Sequence, residues 1–428
     1  MDKFIIEGGK PLRGSLEVGG AKNCALPVLF ATLLAPKKHV VGNVPRLHDM
    51  ESTLKMLVHF GCSVDQRHSR AYGSDWIVDA AGLNTSEAPY DLVRKMRASF
   101  LSLGPLLVRR GQARVSLPGG CAIGARPVDL HLMALEKLGA RIEQKSGYVE
   151  AKLPQGRDRL KGTTVIFPLV SVGATENLVM AATLAEGTTV IENAAKEPEI
   201  RDLCESLISM GARIQGHGSS KILVEGVPEL GAMNFRIPPD RIEAATYLIG
   251  AQLTGGDVTV KGANAEDLGV VLDYLEQTGA KVTRSAEGVR VESSPVVKPV
   301  DVVTAPFPGF PTDVQAQWMA LMTIADGDSV VTETIFENRF MHVPELRRMG
   351  AQLDVVGSSV RIKGRPRCLE GAPVMATDLR ASACLILAGL GAKGETSVKR
   401  IYHLDRGYES MENKLQSLGA QVERSADT

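Results

Sequence analysis

The stretch MGARIQG, residues 210–216, decides the fold, because five variants of it recur along the 428-residue chain. FGCSVDQ (60–66), LGARIEQ (138–144), TGAKVTR (278–284), MGAQLDV (349–355) and LGAQVER (418–424) share its pattern. Each has an apolar residue or threonine, a glycine, a small residue, and then a strand-like alternation. The glycines stand at 61, 139, 211, 279, 350 and 419, a period of about 70 residues. Each follows an amphipathic stretch such as MESTLKMLVHF (50–60) or LHLMALEKL (130–138). The glycine therefore reads as the stop of a surface helix before a strand.

Upstream in every unit lies a second helical stretch that is apolar nearly all round. These are KNCALPVLFATLLA, MRASFLSLGPLLV, GATENLVMAATLA, RIEAATYLIGAQL, DVQAQWMALMTIA and LRASACLILAGL. A helix apolar on every face belongs at the centre of a domain. Each is followed by a turn and a strand, so the unit reads strand–helix–strand–helix–strand. Six such units exceed one ordinary core and suit two α/β domains of three repeats. The proline-containing segment GAMNFRIPPD (231–240) reads as a linker. The N-terminal strand, residues 3–8, is assigned to the C-terminal half. The expected domains are 22–238, and 1–21 with 239–428, joined by two crossings that form a hinge over a cleft.

Bulk composition narrows the function. Lysine plus arginine (49) equals aspartate plus glutamate (49), and aromatics are 4%. No global field recruits nucleic acid, and base-stacking platforms are scarce. No apolar run reaches membrane-spanning length and no leader-like segment opens the chain, so a cytoplasmic protein without membrane insertion is expected. Six cysteines without C-x-x-C pairing or zinc spacing fit a reducing compartment. P-loop, dinucleotide-binding and G-x-S-x-G signatures are absent. His131 and His342 read as polar site neighbours or ordinary surface residues, the latter preferred.

The core helices open on polar residues: Lys22–Asn23, Arg97, Ser171, Arg241, Asp313 and Arg380. Helix N-termini carry partial positive charge and unpaired N–H groups, so two rings of three starts make natural anion receptors. Asp313 and Asp378 also fit a blander reading, as first-turn acids favouring the helix dipole. Lysine and arginine oppose that dipole and need another reason. Arg46, Arg126, Arg339 and Arg406 lie in loops before their repeat glycines. Together the cations suit a substrate with several anionic groups.

The segment SLPGGCAIGARPVDLH (116–131) places Cys121 on a glycine-rich tip near Arg126. Gly111 to Gly139 spans 28 residues, against 23–25 in the third to sixth units. The excess falls at PGGC, so this loop reads as a lid inserted into a regular scaffold.

The strings GGAKNCALP, KMRAS, PGGCAIGARPVDLH, SVGAT, PTDVQAQ, FENRFMHVPEL, ATDLRASA and DRGYE run the whole length of the chain. On them the sequence resembles the UDP-N-acetylglucosamine 1-carboxyvinyltransferase family. The resemblance implies two inside-out α/β barrel domains, each of three βαβαββ repeats, the enolpyruvyl transferase fold. It implies transfer of the enolpyruvyl group of phosphoenolpyruvate to the 3′-hydroxyl of UDP-N-acetylglucosamine, by addition and elimination, in peptidoglycan synthesis. Cys121 then matches the proton donor and the site of a covalent adduct, and Asp313 the base. Lys22, Arg126 and Arg406 match the phosphate-binding set, with Asn23 beside them, and Arg339 and Arg380 surround the carboxyvinyl group. Arg97, Arg126, Pro127, Val128, Asp129, Leu130, Ser171, Val172, Gly173, Asp313 and Ile335 match the sugar-nucleotide side, with Glu337 and Asp378 also in the substrate-binding set. No metal or organic cofactor is implied, and a monomer or weak oligomer is expected. Many members carry a lysine just before SVGAT, where this chain has Leu169-Val170. The shikimate-pathway enolpyruvyl transferases are the nearest alternative, but they lack the cysteine loop and the GGAKN start. A scaffold protein on the same repeat would have no reason to hold Cys121, Asp313 and the arginines together.

Overall fold

The computed structural model describes residues 2–94, 96–118 and 127–426. All six repeat glycines end a surface helix in the left-handed region, with φ between 88° at Gly419 and 100° at Gly61. The Gly211 N–H bonds the Ile208 carbonyl at 2.9 Å, and the Ala212 N–H bonds Leu207 at 3.0 Å. The same two bonds recur at the other five glycines. They satisfy carbonyls that a helix end would otherwise leave bare, and turn the chain directly into the next strand.

The third repeat shows the unit in full. Strand Thr164–Ile166 leads to core helix Val172–Ala182 and strand Thr188–Glu192, then to surface helix Pro198–Ser209 and the hairpin Arg213–Gln215 with Lys221–Glu225. The first two strands pair in parallel and the others antiparallel, in spatial order first, second, fourth, third. A parallel pair needs a crossover, which the core helix supplies. Six four-stranded sheets of this order occur among the described residues. The fourth strand is absent from the five-element pattern expected from sequence. It follows the third across turns as tight as Ser146–Gly147, where both residues have positive φ, so the two read as one stretch.

Two units emerge from the packing. One comprises the described residues up to Gly19 and from Pro239 onward; the other runs from Gly20 to Pro238. Each is closed by a strand distant in sequence. Asp2–Glu7 is the fourth strand of the sixth repeat, lying between Glu395–Lys399 and Gln421–Ala426. Arg13–Glu17 is the first strand of the fourth repeat, parallel to Asp257–Lys261. Asn234–Arg236 is the first strand of the first repeat, pairing Asn234 with Val40 and Arg236 with Gly42. The segment 231–240 is therefore more than a linker: its backbone completes a sheet before the prolines end it.

Each unit has its own apolar core, built around three core helices. In Arg241–Thr254 every residue from Ile242 to Leu253 is buried. The strands present alternate residues to these helices, as Ile222 and Val224 do in Lys221–Glu225. The sheets form the outer layer and the helices the interior. Nothing lies within 4 Å of a methyl group built on Gly211, so Gly211→Ala isolates backbone strain. Its expected loss is about 1–2 kcal/mol in denaturant unfolding. A methyl group on Gly226 would stand 1.8 Å from the Ala185 carbonyl oxygen, so Gly226→Ala should lose more.

Candidate active site

In the Gly20–Pro238 unit, the sequence-predicted residues gather where core helices begin. Lys22 opens Lys22–Ala31, whose residues from Cys24 onward are all buried. Its ammonium lies 2.7 Å from Asp49 Oδ2, on the first turn of the surface helix His48–His59. The lysine that opposes its own helix dipole is thus answered by a buried carboxylate, so the cationic set is less bare than its sequence suggests. Asn23 is half-buried beside it. Arg97 opens the 3-10 turn Arg97–Ser102 and donates to the Pro127 carbonyl at 3.3 Å. Pro127 is exposed and Val128 buried; the helix Asp129–Lys137 follows, with Asp129 in its first turn and Leu130 half-buried. Ser171 caps Val172–Ala182 by accepting the Ala174 N–H, and Val172 and Gly173 form its first turn. Cys121, Arg126 and the proposed lid lie outside the described residues.

His131 is not the surface residue expected from sequence. Its ring stands edge-on to Phe100, with centroids 5.3 Å apart, and within 3.2 Å of a methyl group built on Gly173. Asn177 Oδ1 accepts the Gly104 N–H, which fixes its amide so that Nδ2 donates to the Phe100 carbonyl and to His131 Nδ1. Nδ1 is then the acceptor and Nε2 carries the ring proton. Asn177 carried no signal beyond its place in an apolar helix.

The Pro239–Ala426 part of the other unit holds the sharper constellation. Asp313 sits in the turn Thr312–Val314 before the core helix Gln315–Thr323. Its Oδ1 accepts from Arg339 Nη2 at 2.8 Å and its Oδ2 from Arg380 Nη2 at 2.6 Å. Both arginines are 6% exposed. Burial alone would raise the Asp313 carboxyl, but the two guanidinium groups outweigh it and hold the carboxyl well below the aspartate range. Asp313 stands in the first turn of its helix, as a dipole-favouring acid would, and its carboxylate is in addition clasped by two guanidinium groups. Asp378 is a helix cap: its Oδ1 accepts the Arg380 and Ala381 N–H groups at 2.8 and 3.0 Å.

Behind Arg380 the three core helices of this unit meet at Tyr408. Its hydroxyl lies 2.9 Å from Thr246 Oγ1, 3.1 Å from Gln317 Nε2 and 3.5 Å from Arg380 Nη1. Tyr408 stands in the DRGYE string, yet nothing in its spacing announces a structural role. Arg339 Nη1 donates to Thr312 Oγ1 at 3.0 Å, while its Nε is buried without an acceptor among the described residues. Ile335 and Glu337 are exposed in the loop before Arg339, and Arg406 is half-buried at the end of the turn Ile401–Arg406. His342 is 1% exposed rather than superficial; burial pushes it down to about 4, against the Asp378 charge. No group of three or more His, Cys, Asp or Glu arranged to hold a metal occurs among the described residues.

Removing Asp313 leaves two buried guanidinium groups without their counter-charge. Asp313→Ala should lower unfolding free energy by about 3–5 kcal/mol in denaturant titration. Inorganic phosphate should raise the melting temperature of this variant more than that of the parent, by replacing the lost anion.

Among the described residues no helix is long and apolar enough to cross a membrane. The family model for EPSP synthase (3-phosphoshikimate 1-carboxyvinyltransferase) matches residues 6–415. A UDP-N-acetylglucosamine 1-carboxyvinyltransferase of Gluconobacter oxydans is 53% identical over 427 residues, covering 100% of both chains. One of Anaeromyxobacter dehalogenans is 55% identical over 424 residues, covering 99% of each. Among solved structures, the enolpyruvyl transferase NikO of Streptomyces tendae superposes with a TM-score of 0.88 at 24% identity, covering 100% of this chain and 99% of that one. EPSP synthase of Acinetobacter baumannii gives 0.77 at 22%, covering 100% of both. These structures share the enolpyruvyl transferase fold, with its helices inside and its sheets outside. The family model matches nearly the whole chain, and full-length identity above 50% joins it to the relatives so named: the chain belongs to the UDP-N-acetylglucosamine 1-carboxyvinyltransferase family.

Proposed function

We propose that this chain transfers the enolpyruvyl group of phosphoenolpyruvate to the 3′-hydroxyl of UDP-N-acetylglucosamine and releases phosphate, the reaction its relatives are named for. One observation carries the reading into the site: Asp313 is an ionised carboxylate between two buried arginines at the start of a core helix. The reaction requires a proton acceptor for a hydroxyl beside cations for an acid substrate, and this cluster offers both.

The residue roles are those that the family resemblance implies. Cys121 protonates the methylene carbon of phosphoenolpyruvate, leaving oxocarbenium character at C2. The sugar hydroxyl attacks C2 as Asp313 accepts its proton, giving a tetrahedral ketal. Loss of phosphate and return of a methyl proton restore the double bond in the product. Asp313 is a weak base, because its arginines hold it so low. A weak base suffices here, since the hydroxyl becomes acidic as its oxygen bonds to the cationic carbon. Lys22, Arg126 and Arg406 receive the phosphate, with Asn23 alongside, and the arginine set stabilises charge as it develops. Arg97, Pro127 to Leu130, Ser171 to Gly173, Ile335 and Glu337 contact the sugar nucleotide. Asp378 contributes by holding Arg380 at its helix start. We also place the chain in the cytoplasm, in keeping with its reduced-cysteine composition.

Phosphate release from phosphoenolpyruvate should depend on UDP-N-acetylglucosamine and be absent with shikimate 3-phosphate; the reverse preference would overturn the assignment. Cys121→Ala should nearly abolish turnover while sugar-nucleotide binding persists in calorimetry. The acid limb of the kcat profile should lie below the ordinary aspartate range of about 3.9, because the base must be ionised and its arginines keep it so. Arg339→Gln removes one of those charges, so the limb should move upward in a pH–rate series.

A further inference from the structure

Glu333 is a buried carboxylate to which neither sequence pattern nor the proposed reaction assigns a task. It follows directly on the strand Gly327–Thr332 and is 3% exposed. Four donors converge on it. Oε1 accepts from Thr304 Oγ1 at 2.9 Å, from the Ile335 N–H at 2.7 Å and from the Phe336 N–H at 3.1 Å. Oε2 accepts from Thr312 Oγ1 at 2.8 Å. A buried carboxylate with this many partners is more than packing, because its bonds tie together three separate segments, at Thr304, at Thr312 and at Ile335–Phe336.

The bond from Thr312 extends the reach of Glu333 to Arg339. A threonine hydroxyl has a single proton. Thr312 gives it to Glu333, so the lone pairs of Thr312 Oγ1 face Arg339, whose Nη1 donates to it at 3.0 Å. The same guanidinium donates from Nη2 to Asp313 at 2.8 Å. Were Thr312 free to rotate, its hydroxyl could not serve Arg339 as a dependable acceptor. Glu333 reaches Arg339 by a second route as well. It holds the Phe336 backbone, and the Phe336 ring lies 5.0 Å from the Arg339 guanidinium carbon.

We propose that Glu333 is a positioning residue that orients Arg339 on Asp313 through Thr312, while pinning the Ile335 loop. The inference rests on the proposed reaction for its catalytic meaning, and on geometry alone for the relay. Its two tasks separate by substitution. Thr312→Val cuts the relay but leaves the other three donors of Glu333 in place, so only the Asp313 side is disturbed. Glu333→Gln introduces an amide N–H₂ where donors converge, so it disturbs both the relay and the Ile335 loop.

The test is a pH–rate series on the parent chain, Thr312→Val, Thr312→Ser and Glu333→Gln, with folding checked by circular dichroism and thermal melting. Thr312→Val should move the acid limb of kcat upward by about one pH unit and lower kcat about tenfold, with the KM for UDP-N-acetylglucosamine unchanged. Thr312→Ser keeps the hydroxyl and should restore the parent profile. Glu333→Gln removes a neighbouring negative charge as well as the relay, so it is read by binding: that KM should rise about tenfold, through Ile335. A folded Thr312→Val with the parent limb, or a folded Thr312→Ser that fails to restore it, overturns the proposal. The relay is also read without turnover, by following Asp313 protonation in carboxylate infrared difference spectra against Asp313→Asn. If the parent chain releases no phosphate, the reaction assigned above falls, whereas an upward shift of the Asp313 titration in Thr312→Val still supports the relay and an unshifted one removes it.

Discussion

A helix that is apolar on every side can offer chemistry only at its ends, and that constraint shapes the molecule. Each core helix must be covered all round, so the sheets lie outside and the helices within. Its flanks are covered: Arg241–Thr254 is buried continuously from Ile242 to Leu253, and the one charged residue in that span, Glu243, is met by the buried Lys414 ammonium at 2.6 Å. Polar groups with work to do are displaced to the first turn, where unpaired N–H groups and the dipole meet them. Lys22, Arg97, Ser171, Asp313 and Arg380 all stand there.

Placing cations at helix starts creates an electrostatic strain, since they face the positive end of the dipole and little water. The structure relieves it locally with carboxylates. Lys22 has Asp49, and Arg339 and Arg380 share Asp313. The second arrangement leaves both partners altered. Asp313 is held ionised by its neighbours. Arg380 is held protonated more firmly than an isolated guanidinium, since the pull of Asp313 outweighs its burial. The cations here are already oriented by an internal anion, so they are ordered before any ligand arrives.

The fold was legible where a physical requirement repeats. A left-handed residue after a helix favours glycine, so six such stops at a steady period disclose the unit. The all-apolar helices were legible for a similar reason, because burial on every face leaves no alternative composition. The hairpin's last strand was hidden by a turn of two residues, and the strand Asn234–Arg236 by the prolines that follow it. At the site, Asp313 and Asp378 look alike in sequence, each after a threonine at a helix start. Only tertiary contacts separate the helix cap from the residue clasped by arginines. Asp49, Asn177, Glu333 and Tyr408 were illegible because their importance lies in partners far along the chain, and no spacing rule encodes that. The positions of Cys121 and Arg126 remain readings of the sequence.

The closing strands bear on how such a chain acquires its shape during synthesis. The Gly20–Pro238 unit becomes complete as soon as Asn234–Arg236 emerges, because all its strands are then available. The other unit has no such early opportunity. Asp2–Glu7 is made about 390 residues or more before its neighbours, Glu395–Lys399 and Gln421–Ala426. Until then this apolar strand, with Phe4 and Ile6 destined for the core, travels unpaired while an entire domain forms behind it. Long-range closure of this kind is slow, and the exposed strand is a template for pairing with other nascent chains. The strand that completes this sheet is therefore also a standing liability while the residues between are being made.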